Sequence, residues 1–397
     1  MMTTHATAKT IEKRRDGVRV APSSVGRFVD GLLGRDLHAK RVLSISLAVT
    51  GVLHAASLAI HAIGRGLAAA RGHDAKHGTK QVDRLLSNGA MTVWRLFEPW
   101  VRFVVGEREQ IVVALDWTEY DKDGHATICL YLVTGHGRAM PLIWKTVQKA
   151  TLAGKRSEYE TEVIDRLHEI LPPQVDVTVL ADRGFGDQAL YAYLGALGWD
   201  YVIRFRECIL VTDAKGTTQP ASAWLNATGR AKMMKDARVT DDQTAVPAVV
   251  LVHDKRMKEA WCLATSRTEL GAADVAKLYG RRFTIEETFR DTKNVHFGMG
   301  LSATHIGTPA RRDRLLLLAA MAYALLVLLG AAGERCGLDR TLKTNTVKHR
   351  TLSLYKQGCF WYDAIPAMRE ERYAMLMAAY DECVREHQIF REVFGLL

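Results

Sequence analysis

The sequence lacks several patterns that would mark a particular class of protein. Its six cysteines lie far apart and form no C-x-x-C pair, so it predicts neither a zinc site nor a disulfide framework. His125, His136 and His296 have no metal-ligand spacing to another histidine or cysteine, and we interpret them as surface or loop residues. Residues 1–20 carry scattered charges without the apolar core of a signal peptide. These absences favour a protein of the reducing cytoplasm.

Only one stretch is apolar enough to suggest a membrane span. Residues 315–332 contain no charge and reach the length of a transmembrane helix. They follow the charged residues 311–314, and their one aromatic residue, Tyr323, lies in mid-run rather than at a membrane interface. We therefore predict a buried helix and no membrane partner, with a single-pass membrane protein as the alternative.

The composition is that of a globular protein with an excess of positive charge. At 397 residues the chain is long enough for two or three domains. Lysine and arginine number 54 against 44 aspartate and glutamate, which gives a sequence pI near 9.3. This excess favours a polyanionic partner, either nucleic acid or an anionic membrane surface. A basic protein without such a partner is the alternative.

Residues 1–105 have the pattern of a helical N-terminal module. Apolar positions recur there between charges, and up to Arg41 the sequence has nine lysines and arginines against four acidic residues. Basic helices of this kind commonly lie against phosphates, although a solvated helix face has the same pattern. We predict a DNA-binding domain.

From about residue 106 the pattern changes to strands alternating with helices. The order strand, strand, strand, helix, strand, helix, strand is that of a ribonuclease-H-like α/β domain. These elements are predicted at residues 111–115, 126–133, 140–147, 157–171, 177–181 and 201–205, with a further helix before the last strand. We predict a catalytic domain over residues 106–330 with a β-rich insertion at about 208–272. Residues 331–397, with a helix at 368–394, form the C-terminal region.

Two aspartates stand where predicted buried strands end. Asp116 follows the run Ile111–Leu115, and Asp182 follows the run Val177–Ala181. Neighbouring strands of one sheet would bring these two carboxylates within a few ångström of each other. Carboxylate oxygens are preferred ligands of hard cations such as Mg²⁺, which keeps several waters and needs few protein ligands. Taken singly, an aspartate in such a position is more often a turn residue than a metal ligand.

A predicted helix over residues 273–294 carries the third candidate carboxylate. Tyr279, Arg282, Glu286 and Lys293 are spaced by three, four and seven residues. At 100° per residue they fall within an arc of about 60°, so one helix face offers a carboxylate, two cations and a phenol. A solvated face with an ion pair between Arg282 and Glu286 is the alternative.

These residues resemble the motifs of a known enzyme family. The helix residues match, without a gap, the Y-x2-R-x3-E-x6-K signature of the DDE transposases of insertion-sequence family four. The sequence D-R-G-F at residues 182–185 is similar to the family's second-aspartate motif, and Asp116 with Thr118 resembles its first. Residues 261–266, W-C-L-A-T-S, resemble the family's W-x-L-x-T-S strand, and R-L-L-S-N at 84–88 resembles part of its DNA-binding module.

The resemblance implies a metal-dependent enzyme that cuts and joins double-stranded DNA at element ends and target. Its catalytic residues and metal ligands would be Asp116, Asp182 and Glu286, binding two Mg²⁺ ions for which Mn²⁺ can substitute. Trp261 would stack with a flipped base beside the cut, and a hairpin would be an intermediate. The DNA-binding residues would be Tyr279, Arg282, Lys293, Trp261, Arg183 and Arg84.

The resemblance also implies a homodimer in the synaptic complex, and we expect residues 331–397 to contribute to that dimer. The enzyme would work in the bacterial cytoplasm, associated with the nucleoid. Two alternatives stay open. A related integrase or nuclease of the same fold would cut other DNA, because a fold alone does not fix the substrate. A non-catalytic DNA-binding remnant would bind DNA without cutting it.

Overall fold

The computed structural model describes residues 22–296 and 298–385, so the predictions for residues 1–20 and 386–394 lie outside the described residues. The first part of the described chain, up to Val105, is helical, in agreement with the prediction for this part of the sequence. Its helices are α1 (Pro22–Leu33), α2 (Ala39–Ala55), α3 (Ile60–Arg71), α4 (Ala75–Ser87) and α5 (Val93–Val105).

Helices α3 and α4 approach each other closely. A Cβ atom added to Gly64 would lie 2.4 Å from the backbone of Thr79, and one added to Gly78 would lie 2.2 Å from the carbonyl oxygen of Gly64. Only glycine permits such an approach, because any larger side chain would push the helices apart. The two helices therefore form a tight pair whose outer faces are polar.

Ten strands of the described residues form one mixed sheet, in the order β3-β2-β1-β4-β5-β10-β9-β8-β6-β7. The strands are β1 (Gln110–Tyr120), β2 (His125–Val133), β3 (Ala139–Gln148), β4 (Asp176–Ala181), β5 (Asp200–Phe205), β6 (Leu210–Thr212), β7 (Thr218–Pro220), β8 (Lys232–Val239), β9 (Thr244–Val252) and β10 (Trp261–Thr265). The first three strands are antiparallel, as predicted, and β4 and β5 run parallel to β1.

The strands of the predicted insertion extend this sheet. β10 pairs antiparallel with β5, and β9 pairs antiparallel with β10. Beyond β9 the sheet continues outward with β8, β6 and β7. This arrangement satisfies the backbone hydrogen bonds along the outer edge of β5, which would otherwise be an open sheet edge. It also brings Trp261, the first residue of β10, to the same sheet as Asp116.

The remaining helices cover the sheet and complete the chain. They are α6 (Arg156–Ile170), α7 (Gln188–Ala196), α8 (Ala272–Gly280), α9 (Thr284–Lys293), α10 (Pro309–Arg335), α11 (Leu354–Ala364) and α12 (Glu370–Arg385). The prediction of one uninterrupted helix over residues 273–294 is wrong, because a 3-10 turn, Arg281–Phe283, separates α8 from α9. Gly280, with its low helix propensity, lies at this break. Within the described residues, α12 covers the predicted C-terminal helix.

Helix α10 contains the apolar run 315–332. It is long and apolar enough to cross a membrane, as are α2 and α3 taken together as one bent span, but the apolar window of α10 is entirely buried inside the protein. Such burial is typical of the central helix of a globular core. All six cysteines are free, which agrees with the expectation of no disulfide framework.

Candidate active site

Asp116 and Asp182 lie side by side on the central strands. The parallel pairing of β1 with β4 ends at Leu115 opposite Ala181, so the next residue on each strand is one of the two aspartates. Asp116 is not the end of its strand, as the sequence had suggested, because β1 continues to Tyr120 through its pairing with β2. Asp182 does end β4, and its Oδ1 accepts a hydrogen bond of 2.8 Å from the amide of Gly184.

Arg282 joins the sheet to helix α9. This side chain comes from the 3-10 turn between α8 and α9 and is only 6% exposed. Its Nη1 donates to Asp116 Oδ2 at 3.3 Å, and its Nη2 donates to Glu286 Oε1 at 2.9 Å. The guanidinium therefore lies between a carboxylate of β1 and a carboxylate of α9.

The carboxylates influence one another electrostatically. Burial raises the pKa of Asp116 from 3.8 to about 6; Arg282 opposes this shift, and the nearby Asp182 and Glu286 charges add to it. Both effects are expected, since low dielectric and like charges each disfavour the ionised form. Within residues 22–296 and 298–385, no three acidic, histidine or cysteine side chains stand close enough together to hold a metal ion. Arg282 supplies the compensating positive charge instead.

An aromatic cluster adjoins Arg282. Tyr279, at the end of α8, is buried, and its ring packs edge-on against Trp261 with centroids 5.0 Å apart. Burial raises the pKa of Tyr279, and Arg282 opposes that shift. On the other side, Phe283 lies nearly parallel to Trp261 at 5.8 Å and is 40% exposed. Sequence analysis missed Phe283, although it directly follows Arg282 in the helix signature.

Lys293 stands at the far end of α9. Its Nζ donates to the carbonyl oxygen of Glu119 at 3.2 Å and lies 4.6 Å from the centre of the Tyr120 ring. Burial lowers the pKa of this lysine. Among the described residues no carboxylate is within ion-pair distance of its ammonium, and the charges that act on its pKa from farther away are Arg312, which lowers it, and Asp116 and Asp121, which raise it.

The other two predicted DNA-binding residues occupy different places. Arg183 follows Asp182 and is exposed, and its Nη1 contacts Glu259, two residues before Trp261, at 3.2 Å. Arg204 of β5 pairs with the same glutamate at 2.7 Å. Glu259 therefore links the turn after β4 and strand β5 to the residues just before β10. Arg84 is exposed on α4, outside the group of residues around Asp116.

Helix α9 is fixed to the β2–β3 hairpin by contacts that the sequence did not reveal. Arg138, just before β3, forms an ion pair of 2.7 Å with the buried Asp291. Thr288 donates to the carbonyl oxygen of Ala139 and accepts from its amide, each at 2.9 Å. These bonds hold the face of α9 that carries Thr288 and Asp291 against the hairpin, whereas Glu286 is exposed.

The site thus combines oxygen ligands suited to a hard cation, a guanidinium, an ammonium and an aromatic pair in which Trp261 is half-buried and Phe283 is exposed. Such groups can together bind the phosphates and bases of a nucleic acid. No curated protein matches the chain. Residues 145–325, a little under half of the chain, match the family model described as the transposase DDE domain. This stretch contains Asp182, Trp261, Glu286 and all of α9, so the part of the chain that carries these residues is similar to the DDE domain of transposases.

Proposed function

We propose that this chain is a transposase of insertion-sequence family four, which binds the ends of its element, cuts the DNA by phosphoryl transfer and joins the ends to target DNA. The observation that carries the proposal is the bridge from Asp116 through Arg282 to Glu286, beside Asp182. The bridge links two carboxylates of the family's motifs that come from different elements, and the charge of the third, Asp182, acts on the pKa of Asp116. An ion pair on a solvated helix face would not reach the sheet.

The topology supports a ribonuclease-H-like core for this enzyme. Three antiparallel strands are followed by two strands parallel to the first, and α6 and α7 precede the two parallel strands as crossover connections. Since the parallel pairing of β1 with β4 ends at Leu115 opposite Ala181, the residues that come next lie side by side, which accounts for the pairing of Asp116 with Asp182.

The chemistry of the three carboxylates suits a divalent cation, although in this structure Arg282 stands between Asp116 and Glu286 and would have to move aside for the ion to bind. Asp116, Asp182 and Glu286 offer oxygen ligands; burial raises the pKa of Asp116, and the nearby charges of Asp182 and Glu286, which a cation would offset, add to that shift. These three residues would hold two Mg²⁺ ions, or Mn²⁺ in their place, and the ions would supply an activated oxygen nucleophile and stabilise the leaving oxygen. The protein itself then needs no covalent nucleophile.

The cationic and phenolic side chains would hold the DNA. Arg282 contacts two of the carboxylates, Tyr279 lies close to Arg282, and Lys293 stands at the far end of α9. Contacts from these three side chains to phosphates would fix the position of a strand without reading its sequence. Arg183 would contact the same strand, and the exposed Arg84 would contact the element end from the N-terminal domain. In a reaction through a hairpin, the strand must bend sharply at the cut.

Trp261 with Phe283 would receive the base that this bend unstacks. Stacking of one base on an aromatic face contributes about 1–3 kcal/mol, comparable with the cost of taking it out of the duplex. We further propose that two copies act in a synaptic complex, that residues 331–397 contribute to the dimer, and that the enzyme works on the nucleoid in the cytoplasm.

The decisive experiment uses a supercoiled plasmid that carries the element's own ends. Wild type, Glu286→Gln and the control Glu287→Gln are incubated with Mg²⁺ or with a chelator, and the products are separated on a denaturing gel. Glu287 is a suitable control because it is the next residue of α9 and pairs with Arg290 at 3.1 Å. We expect Mg²⁺-dependent nicks and hairpins at the ends from wild type and Glu287→Gln only.

Binding of the same ends is measured in parallel. Glu286→Gln should bind them as tightly as wild type, because the change removes a metal ligand and leaves the DNA-holding cations in place. Tight binding without cleavage by wild type would favour the non-catalytic remnant. Cleavage at sites unrelated to the ends would favour a nuclease of the same fold.

A further inference from the structure

A buried polar network lies behind Lys293, outside the residues of the helix signature. At its centre is Arg312 of α10, which is completely buried. Its Nη2 contacts the carboxylate of Asp123, itself 2% exposed, and its Nε donates to His125 Nδ1 at 3.1 Å. His125 is therefore a core residue, and His136 is buried as well. The prediction from the sequence that both are surface or loop residues is wrong.

Tyr120, the last residue of β1, connects this network to Lys293. The guanidinium carbon of Arg312 lies 3.8 Å from the centre of the Tyr120 ring, and the Lys293 ammonium lies 4.6 Å from the same centre. Both distances are within the range of cation–π attraction. The Nη1 of Arg312 makes no hydrogen bond among the described residues. Burial raises the pKa of the Tyr120 hydroxyl, and the proximity of Arg312 opposes that larger effect by lowering it.

The two cations of the network, Arg312 and Lys293, differ in whether a carboxylate pairs with them. Asp123 neutralises Arg312, whereas Lys293 has no carboxylate partner within the described part of the chain. A half-buried ammonium held only by a carbonyl oxygen and aromatic rings keeps its charge available for an anion. Without Asp123, the buried cation of Arg312 would instead repel Lys293 across the ring, since Arg312 already lowers the pKa of this lysine.

We propose that Arg312, acting through Tyr120, is a positioning residue for Lys293, and that it holds the lysine ammonium toward a phosphate oxygen of the bound DNA. This inference rests on the proposed function for the identity of the anion. The placement of Lys293 by the Tyr120 ring does not depend on DNA, so it can be tested separately.

The first test is made without DNA. Competitive acetylation followed by mass spectrometry measures the reactivity of the Lys293 amine in wild type, Tyr120→Phe and Tyr120→Leu. Phenylalanine keeps the ring that holds the ammonium, whereas leucine removes it. We expect wild-type reactivity in Tyr120→Phe and a several-fold increase in Tyr120→Leu. Equal reactivity in all three would overturn the role of the ring.

The role of Arg312 is tested with the pair Asp123→Asn and Arg312→Met. Replacing both partners leaves no uncompensated charge in the core, so this variant is more suitable than either single change. Its matched control is Asp339→Asn with Lys343→Met, another ion pair of low exposure, at 2.7 Å, that does not touch Tyr120. We expect increased acetylation of Lys293 in the first variant only. An increase in both, or in neither, would overturn the role of Arg312.

The second test measures affinity for a fluorescent DNA duplex as a function of salt concentration. Lys293→Ala should reduce the slope of log K against log salt by about 0.9, the contribution of one phosphate contact. Tyr120→Leu should reduce it by a similar amount, and the double variant should lose no more than Lys293→Ala. Additive losses would overturn the coupling. A wild-type slope in Lys293→Ala would instead overturn the DNA contact of Lys293 in the proposed function, while the acetylation result still decides its positioning.

Discussion

The Nη1 atom of Arg282 donates to the Oδ2 atom of Asp116 at 3.3 Å. The same guanidinium donates to Glu286, so it occupies the space between two proposed metal ligands. A positive side chain in this position substitutes electrostatically for a cation. It follows that Arg282 should compete with Mg²⁺ when DNA is absent, and should turn to a phosphate when DNA is bound.

Arg282→Met should therefore bind Mg²⁺ more tightly than wild type in the absence of DNA. Unit charges 4 Å apart interact by about 4 kcal/mol near a protein surface. We therefore expect the Mg²⁺ concentration at the midpoint of the binding titration to be about tenfold lower in the variant, which corresponds to about 1.4 kcal/mol of binding free energy. The midpoint is obtained from thermal unfolding at increasing Mg²⁺ concentration. Arg281→Met, in the same 3-10 turn, loses the same charge without a contact to Asp116 and should not differ from wild type. An unchanged or higher midpoint in Arg282→Met would contradict the competition.

Much of the site could be predicted from the sequence because it depends on local patterns. Apolar strands that end near Asp116 and Asp182, and the spacing of Arg282 and Glu286 on a helix, are visible in the sequence alone. The structure agrees on the antiparallel first three strands and on the adjacency of the two aspartates. Periodicity is informative here since burial imposes it directly.

The rest depends on contacts between residues far apart in the chain. The burial of Arg312 with Asp123 could not be predicted, because an arginine beside an apolar run is equally typical of a solvated helix end. Arg282 lies in the 3-10 turn that interrupts the helix, and from there it contacts Asp116. The direction of its side chain could not be predicted by assuming 100° of rotation per residue, because a 3-10 turn rotates by a different angle. Likewise, no local pattern indicates that β10 would pair with β5 and bring Trp261 to the site.

Asp116→Asn should make the protein more stable at alkaline pH when no metal is present. The pKa of Asp116 is raised from 3.8 to about 6, so the folded state disfavours the ionised carboxylate. This cost, up to about 3 kcal/mol at 1.36 kcal/mol per pH unit, is complete above pH 6 and vanishes below about pH 4. Urea unfolding at pH 8 and pH 4 would measure it. Equal stability of the two proteins at pH 8 would contradict the prediction.

The stabilisation of wild type by Mg²⁺ should depend on pH for the same reason. Below about pH 6 Asp116 is protonated, and a proton must leave before the carboxylate can bind a cation. The increase in Tm caused by Mg²⁺ should thus be larger at pH 7.5 than at pH 5, and Asp116→Asn should lose most of it at both. Scanning calorimetry with Mg²⁺ and with chelator provides the measurement. Identical increases at the two pH values would remove Asp116 from the ligand set.

Trp261→Ala should spare the first nick and reduce hairpin formation, because only the second step needs an unstacked base. Loss of about 1–3 kcal/mol of stacking corresponds to roughly a fivefold to hundredfold lower hairpin yield. Trp261→Phe should recover part of that yield. Trp224→Ala is the control, since this tryptophan belongs to the same insertion and takes no part in the aromatic cluster. Its Nε1 donates a hydrogen bond to the carbonyl oxygen of Val211.

Phe283→Ala distinguishes a stacking surface from a core residue at Trp261. Phe283 is exposed and nearly parallel to Trp261, so its removal should cost little stability but should also lower the hairpin yield. Quantitative gels of nicked and hairpin products, together with Tm values, separate the two effects. If Phe283→Ala leaves the hairpin yield unchanged while Trp261→Ala lowers both yield and Tm, then Trp261 acts by packing against Tyr279, and the base must be held elsewhere.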